Sequence, residues 1–308
     1  MAKSETDQAR TLAHSAGARV RRELVLTRVR GDDRLDWLNG QITNDVRDVR
    51  PDQALYALAV TVRGKIMADL WVLALGDDFG VLLPQPAQAR VLESFEQQII
   101  MEDVELVPAP EARVISVQGP RAAEAMSGLG IETPAADELG HGGVFVLASA
   151  GELDARFARV LELVEGIGGC AVDDAAYELA RLRAGRPRFG ADFDDRHYPQ
   201  QAGLKSRTVS FHKGCYLGQE VVCTLENRGR LTRELCRLES SDDALPPVGA
   251  ELLDPAGSAV GELTSAVFDP ELGKTLALGY VKTAHAEPGA LLHAGPAAMR
   301  VVARVGEP

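Results

Sequence analysis

The 308-residue chain has few cysteines, no long apolar run and a shortage of positive charge. Its four cysteines, which form no CxxC pair, are Cys170, Cys215, Cys223 and Cys236. That spacing suits neither a disulfide framework nor a zinc site, and it favours free thiols in a reducing compartment. Apolar runs such as residues 70–75 are far too short to span a bilayer. The first twenty residues lack the apolar core of a secretory leader, so we expect a cytoplasmic protein without membrane association.

The deficit of positive charge limits the partners that this chain can bind. Its formal net charge is −12, whereas sequence-independent binding of nucleic acid needs clustered cations that meet the phosphate backbone. We therefore expect no nucleic-acid partner. A local basic cluster is still present, formed by Arg181, Arg183, Arg186 and Arg188. It fits either an anionic small molecule or a solvated helix face, and the residues alone do not choose between them.

The order of predicted elements indicates an α+β fold. The length permits two or three compact units, and strands mix with helices without regular βαβ alternation. Period-two patterns predict strands at residues 23–29, 55–62, 66–75, 79–83, 113–118 and 144–148. Helical spacing predicts helices at residues 85–100, 122–127, 155–165 and 176–184.

Composition divides the chain into three parts. Residues 1–19 are polar and rich in alanine, and we predict a flexible N-terminal extension there. Residues 20–230 repeat a strand–turn–helix pattern roughly twice, which suggests two related subdomains. After Gly229 the chain changes to short strands separated by proline-containing turns, so residues 231–308 are predicted to form a small antiparallel sheet or β-barrel.

Residues 213–220, Lys-Gly-Cys-Tyr-Leu-Gly-Gln-Glu, form the most informative segment of the chain. This cysteine segment places Cys215 beside Lys213 on a glycine-flanked turn, which is predicted to open into a helix from Gln219 to about Leu225. Backbone N–H groups at a helix start and a nearby ammonium both favour a thiolate. We therefore regard Cys215 as the chemically active residue, as a nucleophile, a transient cluster or metal ligand, or a redox partner. The alternative is a small buried side chain, which is common for free cysteine.

The cysteine segment resembles the KGCYxGQE motif of the YgfZ-type folate-binding proteins, relatives of the glycine-cleavage aminomethyltransferase, or T-protein. Other segments support the resemblance. Residues 31–46 are similar to that family's G-x-D…FLQGQxTxDV pattern, and residues 63–70 are similar to its GK…D turn and strand. Residues 184–200 are similar to its AGxP…PQ loop. Together these matches span residues 23–230.

The resemblance implies an aminomethyltransferase-like fold, in which a three-part ring surrounds a central channel and an antiparallel β-barrel closes the C-terminal end. It implies that the channel receives tetrahydrofolate or another reduced folate. It also implies a monomer that supports assembly or repair of iron–sulfur clusters in client enzymes, with those enzymes or assembly proteins as partners. The alternatives are a folate-dependent aminomethyl or one-carbon transferase, and a scaffold that binds proteins without using folate.

The resemblance also implies roles for individual residues. Asp69 stands where the T-protein family places an acidic residue near the reactive nitrogens of folate, so the candidate catalytic residues are Cys215, Lys213 and Asp69. Arginine binds carboxylates through two hydrogen bonds, which suits Arg228 and Arg230 to the glutamate tail of folate. The full set of candidate folate contacts is Asn44, Asp45, Asp69, Lys213, Tyr216, Gln219, Glu220, Arg228 and Arg230. For most of them a structural role in a turn, a strand edge or the core is the alternative.

One position departs from the pattern of the aminomethyltransferases. Their RLxEAG-like segment carries a glutamate that contacts the pterin, and here Arg183 stands in its place. A guanidinium cannot accept hydrogen bonds from the pterin N–H groups, so the usual pterin clamp is in doubt. The aminomethyltransferases also lack the cysteine motif. Both departures favour a YgfZ-type protein over a glycine-cleavage enzyme.

Overall fold

The structure is a computed structural model that describes residues 3–240 and 244–307, except for the side chain of Arg228. Within these ranges the chain forms two open sheets, a closed barrel and the helices that pack on them. The helices are α1 Glu5–His14, α2 Arg34–Gln41, α3 Gln88–Glu96, α4 Ala122–Met126, α5 Leu153–Gly166, α6 Asp174–Arg183, α7 Lys205–Thr208 and α8 Gln219–Arg228. The strands are β1 Gly17–Val20, β2 Leu24–Arg30, β3 Leu55–Val60, β4 Ile66–Leu75, β5 Asp78–Pro84, β6 Glu105–Ala109, β7 Ala112–Gln118, β8 Gly143–Ser149, β9 Cys170–Ala171, β10 Arg233–Ser240, β11 Glu251–Leu253, β12 Ala259–Asp269, β13 Lys274–Lys282, β14 Leu291–Ala294 and β15 Ala297–Arg304.

The first sheet has five antiparallel strands in the order β3-β4-β5-β2-β6. Side chains alternate between its two faces, as the pleat requires. Leu70 and Val72 of β4 pack under α2 and α3 together with Trp37 and Phe95. Trp71, from the same strand, points to the other face and belongs to a second core. The strands predicted at residues 55–62, 66–75 and 79–83 are found in this sheet with shifts of one or two residues at their ends.

The second sheet has four strands in the order β8-β7-β1-β9, and α4 and α5 cover one of its faces. Phe145 of β8 reaches the second core and meets Trp71 edge-on, with ring centroids 5.4 Å apart. This contact joins the two sheets across their inner faces.

The structure contradicts the predicted flexible N-terminal extension over residues 1–19 from residue 5 onward, because α1 and β1 lie there. Helix α1 begins after Ser4, whose hydroxyl oxygen accepts a hydrogen bond from the Asp7 N–H group. Leu12 is buried against residues of α6 and β9, and β1 pairs with β7 on one side and β9 on the other. The sequence shows no clear apolar periodicity here, because alanine and glycine, which are only weakly apolar, supply most of the buried positions.

The C-terminal unit is a closed, antiparallel barrel in the order β10-β13-β12-β11-β14-β15, which begins at Arg233. Its interior is filled by aliphatic side chains, among them Leu238, Leu263 and Met299. The barrel contacts the preceding part of the chain through α6, where Arg183 donates two hydrogen bonds to Asp269, of 2.6 and 2.7 Å. In the described part of the chain, no helix combines the length and apolarity that a membrane crossing requires.

Candidate functional site

A cavity of about 270 Å³ lies against the five-stranded sheet and α6. We call it the Asp69 cavity. Asp69 and Trp71 stand two residues apart on β4, and Tyr56 of β3 pairs with Trp71 in the sheet register. Period-two alternation therefore places these three side chains on one face. Most of the remaining wall comes from α6, the loop after it and the segment that leads into β2, and Leu82 of β5, Glu138 and Arg207 of α7 also contribute.

Asp69 supplies an unused hydrogen-bond acceptor in this cavity. Its Oδ2 accepts a 2.8 Å hydrogen bond from the Tyr56 hydroxyl, whereas its buried Oδ1 accepts none from the described residues. Burial raises the pKa of Asp69, against the opposing effect of the Tyr56 hydrogen bond. Burial also raises the pKa of Tyr56 well above its usual value, so the phenol stays protonated and can donate its hydrogen bond to Asp69. The Tyr56 ring stacks on Trp71, with centroids 4.6 Å apart, and so adds a flat apolar surface beside the carboxylate.

The arginines on the wall fall into two groups. Arg21 is ion-paired with Glu138 and Glu23, and Arg181 is ion-paired with Asp192 and Glu178. Carboxylates compensate both guanidinium groups, and those that pair with Arg21 also line the cavity.

Among the described residues, Arg186 and Arg207 form no ion pair with a carboxylate. The Nε of Arg186 is buried and has no partner there, and burial together with the charge of Arg207 lowers the pKa of Arg186. Arg207 lies over the Tyr56 ring at 5.1 Å and donates to the Asp137 carbonyl. The cavity thus offers a carboxylate, a flat aromatic surface and two arginines that form no ion pair among the described residues.

The cysteine segment does not contribute to the wall of this cavity in the described part of the chain. Lys213 is buried and donates hydrogen bonds to the carbonyl oxygens of Asn39, Ile42 and Asn44, at 2.5, 2.8 and 2.7 Å. Burial lowers its pKa to about 8, and the charge of Asp45 opposes this shift. Because an ammonium has three N–H donors, none is left for a ligand. The structure therefore contradicts the predicted role of Lys213 in catalysis and folate binding, and it supports a structural one.

The other residues of the cysteine segment divide between core and surface. Tyr216 is 6% exposed and packs in a cluster with Leu58 and Phe193, so it is a core residue rather than a ligand contact. Gln219 accepts a 3.3 Å hydrogen bond from the Tyr216 N–H group and holds the turn. Glu220 is exposed, as is Cys215. Cys215, the candidate reactive residue, therefore lies at the surface and not on the wall of the Asp69 cavity.

Gly218 explains why this turn needs a glycine. It precedes α8 with a φ of 79°, in the left-handed region. A Cβ at this position would clash with the carbonyl oxygen of Thr61, in the turn between β3 and β4. The glycine therefore lets the cysteine segment approach the end of the same two strands that carry Tyr56 and Asp69.

The remaining predicted contacts also lie outside the cavity wall. The Asn44 Nδ2 donates to the Tyr56 carbonyl oxygen at 2.9 Å, and Asp45 is paired with Arg47, whose hydrogen bonds lower the pKa of Asp45. Arg230 is exposed beyond the end of α8, and the side chain of Arg228 lies outside the described residues. Of the candidate folate contacts whose side chains are described, Asp69 lines the cavity and the others do not.

Tyr56, Trp71 and Arg186 line the cavity but were not predicted as ligand contacts, although two features of the sequence pointed to them. Tyr56 and Trp71 share a face with Asp69 by strand alternation and register. Arg186 belongs to the basic cluster that was noted, and Arg183 of the same cluster turns away to the barrel. The Arg183 guanidinium forms ion pairs with Asp269 and Glu271. Arginine in place of the glutamate of the aminomethyltransferases therefore puts no cation on the cavity wall.

Comparison with known proteins agrees with this architecture. The family model of the GCVT N-terminal domain matches residues 7–161, and that of the glycine cleavage T-protein C-terminal barrel domain matches residues 233–308. The mitochondrial aminomethyltransferase of Gallus gallus is 30% identical over 307 residues, which cover 87% of this chain and 75% of that protein. The tRNA-modifying protein YgfZ of Yersinia pseudotuberculosis serotype O:1b is 27% identical over 241 residues, which cover 74% of this chain and 72% of that protein.

A solved structure supports the fold independently. The glycine cleavage system aminomethyltransferase T from Bartonella henselae superposes with a TM-score of 0.85 at 20% identity, over 97% of this chain and 88% of that chain. The expected α+β, aminomethyltransferase-like fold with a C-terminal antiparallel barrel is therefore confirmed. The chain belongs to the glycine cleavage T-protein family, as a YgfZ-type relative of the aminomethyltransferases.

Proposed function

We propose that this protein binds a reduced folate of the tetrahydrofolate class in the Asp69 cavity and supports iron–sulfur client enzymes through Cys215. The observation that carries the proposal is the buried Oδ1 of Asp69, which accepts no hydrogen bond from the described residues. An unpaired buried acceptor is costly, and a pterin supplies the N–H donors that would satisfy it. The stacked pair of Tyr56 and Trp71 fits a flat heterocycle.

The charges on the cavity wall support the same ligand. Arg186 and Arg207 have no carboxylate partner among the described residues, and a folate ends in a glutamate tail. A guanidinium binds a carboxylate through two hydrogen bonds, and a tail carboxylate would relieve the repulsion between the two arginines. This assigns to Arg186 and Arg207 the role that the sequence suggested for Arg228 and Arg230.

The position of Cys215 supports an outward role for the thiol. It is exposed, and the folate cavity wall excludes it within the described residues. A surface thiol on a well-anchored segment is accessible to a partner protein or a cluster that the partner carries. We therefore assign to the cavity the binding of folate, and to Cys215 the contact with client enzymes.

A folate-dependent aminomethyl transferase is the second candidate, and Asp69 favours it. A carboxylate with a raised pKa beside the folate-binding surface is suited to proton transfer, and the Gallus gallus relative is named an aminomethyltransferase. Formation of methylene-tetrahydrofolate from a lipoyl-bound aminomethyl donor would establish this function. Its absence, with folate binding intact, would favour the first.

Replacement of Arg186 with methionine is expected to weaken tetrahydrofolate binding about tenfold, because a charge-assisted hydrogen bond contributes about 1.5–3 kcal/mol. Isothermal titration calorimetry under anaerobic conditions would measure the dissociation constant. Arg230→Met is the matched control, since Arg230 is exposed and lies off the cavity wall, and it should bind like the wild type. A wild-type protein without saturable binding would refute the proposed ligand.

Replacement of Cys215 with serine is expected to abolish rescue of a host strain that lacks its own copy of this protein, as judged by the activity of an iron–sulfur enzyme. Cys223→Ser, in helix α8, is the control and should rescue fully. Both variants should bind tetrahydrofolate with unchanged affinity, because neither residue lines the cavity. Full rescue by Cys215→Ser would contradict the assigned role of the thiol.

A further inference from the structure

Residues 42–44, which we call the connecting segment, lie between the Asp69 cavity and the cysteine segment. On the cavity side, the Asn44 amide donates to the Tyr56 carbonyl oxygen at 2.9 Å. The Thr43 hydroxyl accepts a 3.0 Å hydrogen bond from the Leu58 N–H group and donates a 2.6 Å bond to the Thr208 carbonyl oxygen. Leu58 pairs with Asp69 in the sheet register, and Thr208 follows Arg207 in α7. The connecting segment is thus bonded directly to residues that adjoin the ligand-facing groups.

On its other side, the connecting segment holds the cysteine segment. The Lys213 ammonium donates to the carbonyl oxygens of Ile42 and Asn44, and also to that of Asn39 just before them. The Leu217 N–H group donates to the Gly40 carbonyl oxygen at 3.0 Å. The exposed Cys215 therefore lies between two anchor points that are both attached to residues 39–44.

We propose that Lys213 is a positioning residue that transmits occupancy of the Asp69 cavity to the accessibility of the Cys215 thiol. The inference rests on the proposed function, because it takes a reduced folate as the ligand of the cavity. It adds a regulatory link between two sites that the fold separates: folate in the cavity controls how the thiol is presented to a client.

The physical basis is the sharing of one hydrogen-bonded segment by both sites. A ligand that donates to Asp69 of β4 and contacts Arg207 of α7 restrains α7 directly and β3 through its pairing with β4, and both β3 and α7 are bonded to the connecting segment. Restraint at one site lowers the entropic cost of ordering the other when both depend on the same element. Lys213 carries this restraint across, because its buried ammonium joins the two segments through hydrogen bonds to Ile42 and Asn44.

A purely structural lysine and a positioning lysine make different predictions. If Lys213 only secures the local fold, its loss should raise the reactivity of Cys215 equally with and without ligand. If it transmits occupancy, its loss should remove the effect of the ligand on that reactivity. The decisive quantity is the ratio of the Cys215 alkylation rates without and with ligand.

Alkylation of Cys215 by iodoacetamide in the full-length protein, followed by mass spectrometry of the peptide, measures this ratio with tetrahydrofolate as the probe. The wild type is expected to react about fivefold more slowly with saturating ligand, a modest coupling between two sites. Lys213→Met should bring the ratio close to one. The matched control is Lys205→Met, since Lys205 is exposed and paired with Glu226 on the surface, and it should keep the fivefold ratio.

A second variant tests the link from the cavity side and does not remove a buried cation. Asn44→Ala deletes the amide bond to the Tyr56 carbonyl oxygen, while the Asn44 backbone carbonyl remains available to Lys213. The ratio of the Cys215 alkylation rates without and with ligand should also fall toward one in this variant.

Calorimetry measures tetrahydrofolate binding to the wild type and to every variant, and so separates the possible outcomes. Wild-type protein that binds tetrahydrofolate but shows no change in alkylation rate would overturn this inference and leave folate binding intact. A fivefold ratio that persists in folded Lys213→Met or Asn44→Ala would overturn it equally, and absence of wild-type binding would overturn both proposals.

Discussion

Replacement of Arg181 with methionine is expected to lower the free energy of unfolding by about 3–5 kcal/mol, the typical effect of breaking a buried ion pair. Arg181 is 2% exposed and donates to Asp192 at 2.8 Å, to the Ser265 hydroxyl at 2.7 Å and to the Arg186 carbonyl oxygen at 3.1 Å. It also pairs with Glu178. The large effect follows from what remains behind, because Asp192 would keep a fully buried charge without its cation.

Urea unfolding without ligand, followed by circular dichroism, measures this loss. Arg10→Met is the control, because Arg10 forms exposed ion pairs with Asp7 and Glu271, and exposed pairs contribute little to stability. Arg181→Lys should fall between the two, since an ammonium keeps the charge but not the planar fork of donors. A loss for Arg181→Met as small as that of the control would show that this buried ion pair contributes little to the stability of the fold.

Replacement of Asp69 with asparagine is expected to weaken tetrahydrofolate binding by about 10- to 100-fold, while it raises the melting temperature of the ligand-free protein by about 2 °C. The affinity falls because the amide lacks the charge that strengthens hydrogen bonds from a pterin. The stability rises because the neutral side chain avoids the penalty of burying a carboxylate. Its amide oxygen can still accept the hydrogen bond from Tyr56.

The pH dependence of this stabilisation follows from the direction of the pKa shift. Burial raises the pKa of Asp69 in the folded protein, so folding favours the protonated form, and the unfolded chain binds fewer protons in the interval between the two pKa values. The contribution of Asp69 to stability therefore falls as the pH rises from its unfolded pKa through its folded pKa. The advantage of Asp69→Asn should be present at pH 7 and smaller near pH 4.

Differential scanning fluorimetry at both pH values tests the stability, and calorimetry tests the binding. Asp48→Asn is a suitable control, since Asp48 is exposed in the short 3-10 helix Val46–Asp48, and it should change neither quantity. Unchanged tetrahydrofolate affinity in Asp69→Asn would remove the main support for folate binding in this cavity.

Local sequence patterns predicted much of the fold. The alternating strands β3, β4 and β5 and the amphipathic α5 were located because their apolar periodicity reports directly on which face is buried. Strand β6 was missed, and its position explains why. It contains Pro108, which removes a backbone donor and argues against a strand. The proline is tolerated because β6 is at the edge of its sheet and, within the described ranges, has β2 as its one neighbour.

The candidate site was predicted less completely, for reasons visible in Lys213. Its proximity to Cys215 in the sequence suggested that the ammonium acts on the thiol or on a ligand. In the structure the ammonium is occupied by carbonyl oxygens about 170 residues away along the chain. Every residue carries a backbone carbonyl group, so the sequence does not indicate which carbonyl oxygens will accept hydrogen bonds from a particular lysine.

Asp69 shows the opposite case. The family resemblance singled it out, and the structure places it in a cavity with a raised pKa and an unused oxygen. The partners that give it this environment, Tyr56, Trp71 and Arg186, lie on two different strands and on the loop after α6. Their convergence depends on strand register and on the docking of α6, and neither can be read from local pattern.

The amino-acid order was therefore sufficient for the family, the barrel and most strands, because hydrophobic periodicity and an eight-residue motif are properties of short stretches of chain. It was not sufficient to show that the Asp69 cavity and the exposed Cys215 thiol lie at different places in the fold. That separation arises from long-range packing, in which the Gly218 turn and the hydrogen bonds of Lys213 attach the cysteine segment outside the wall formed by Tyr56 and Asp69.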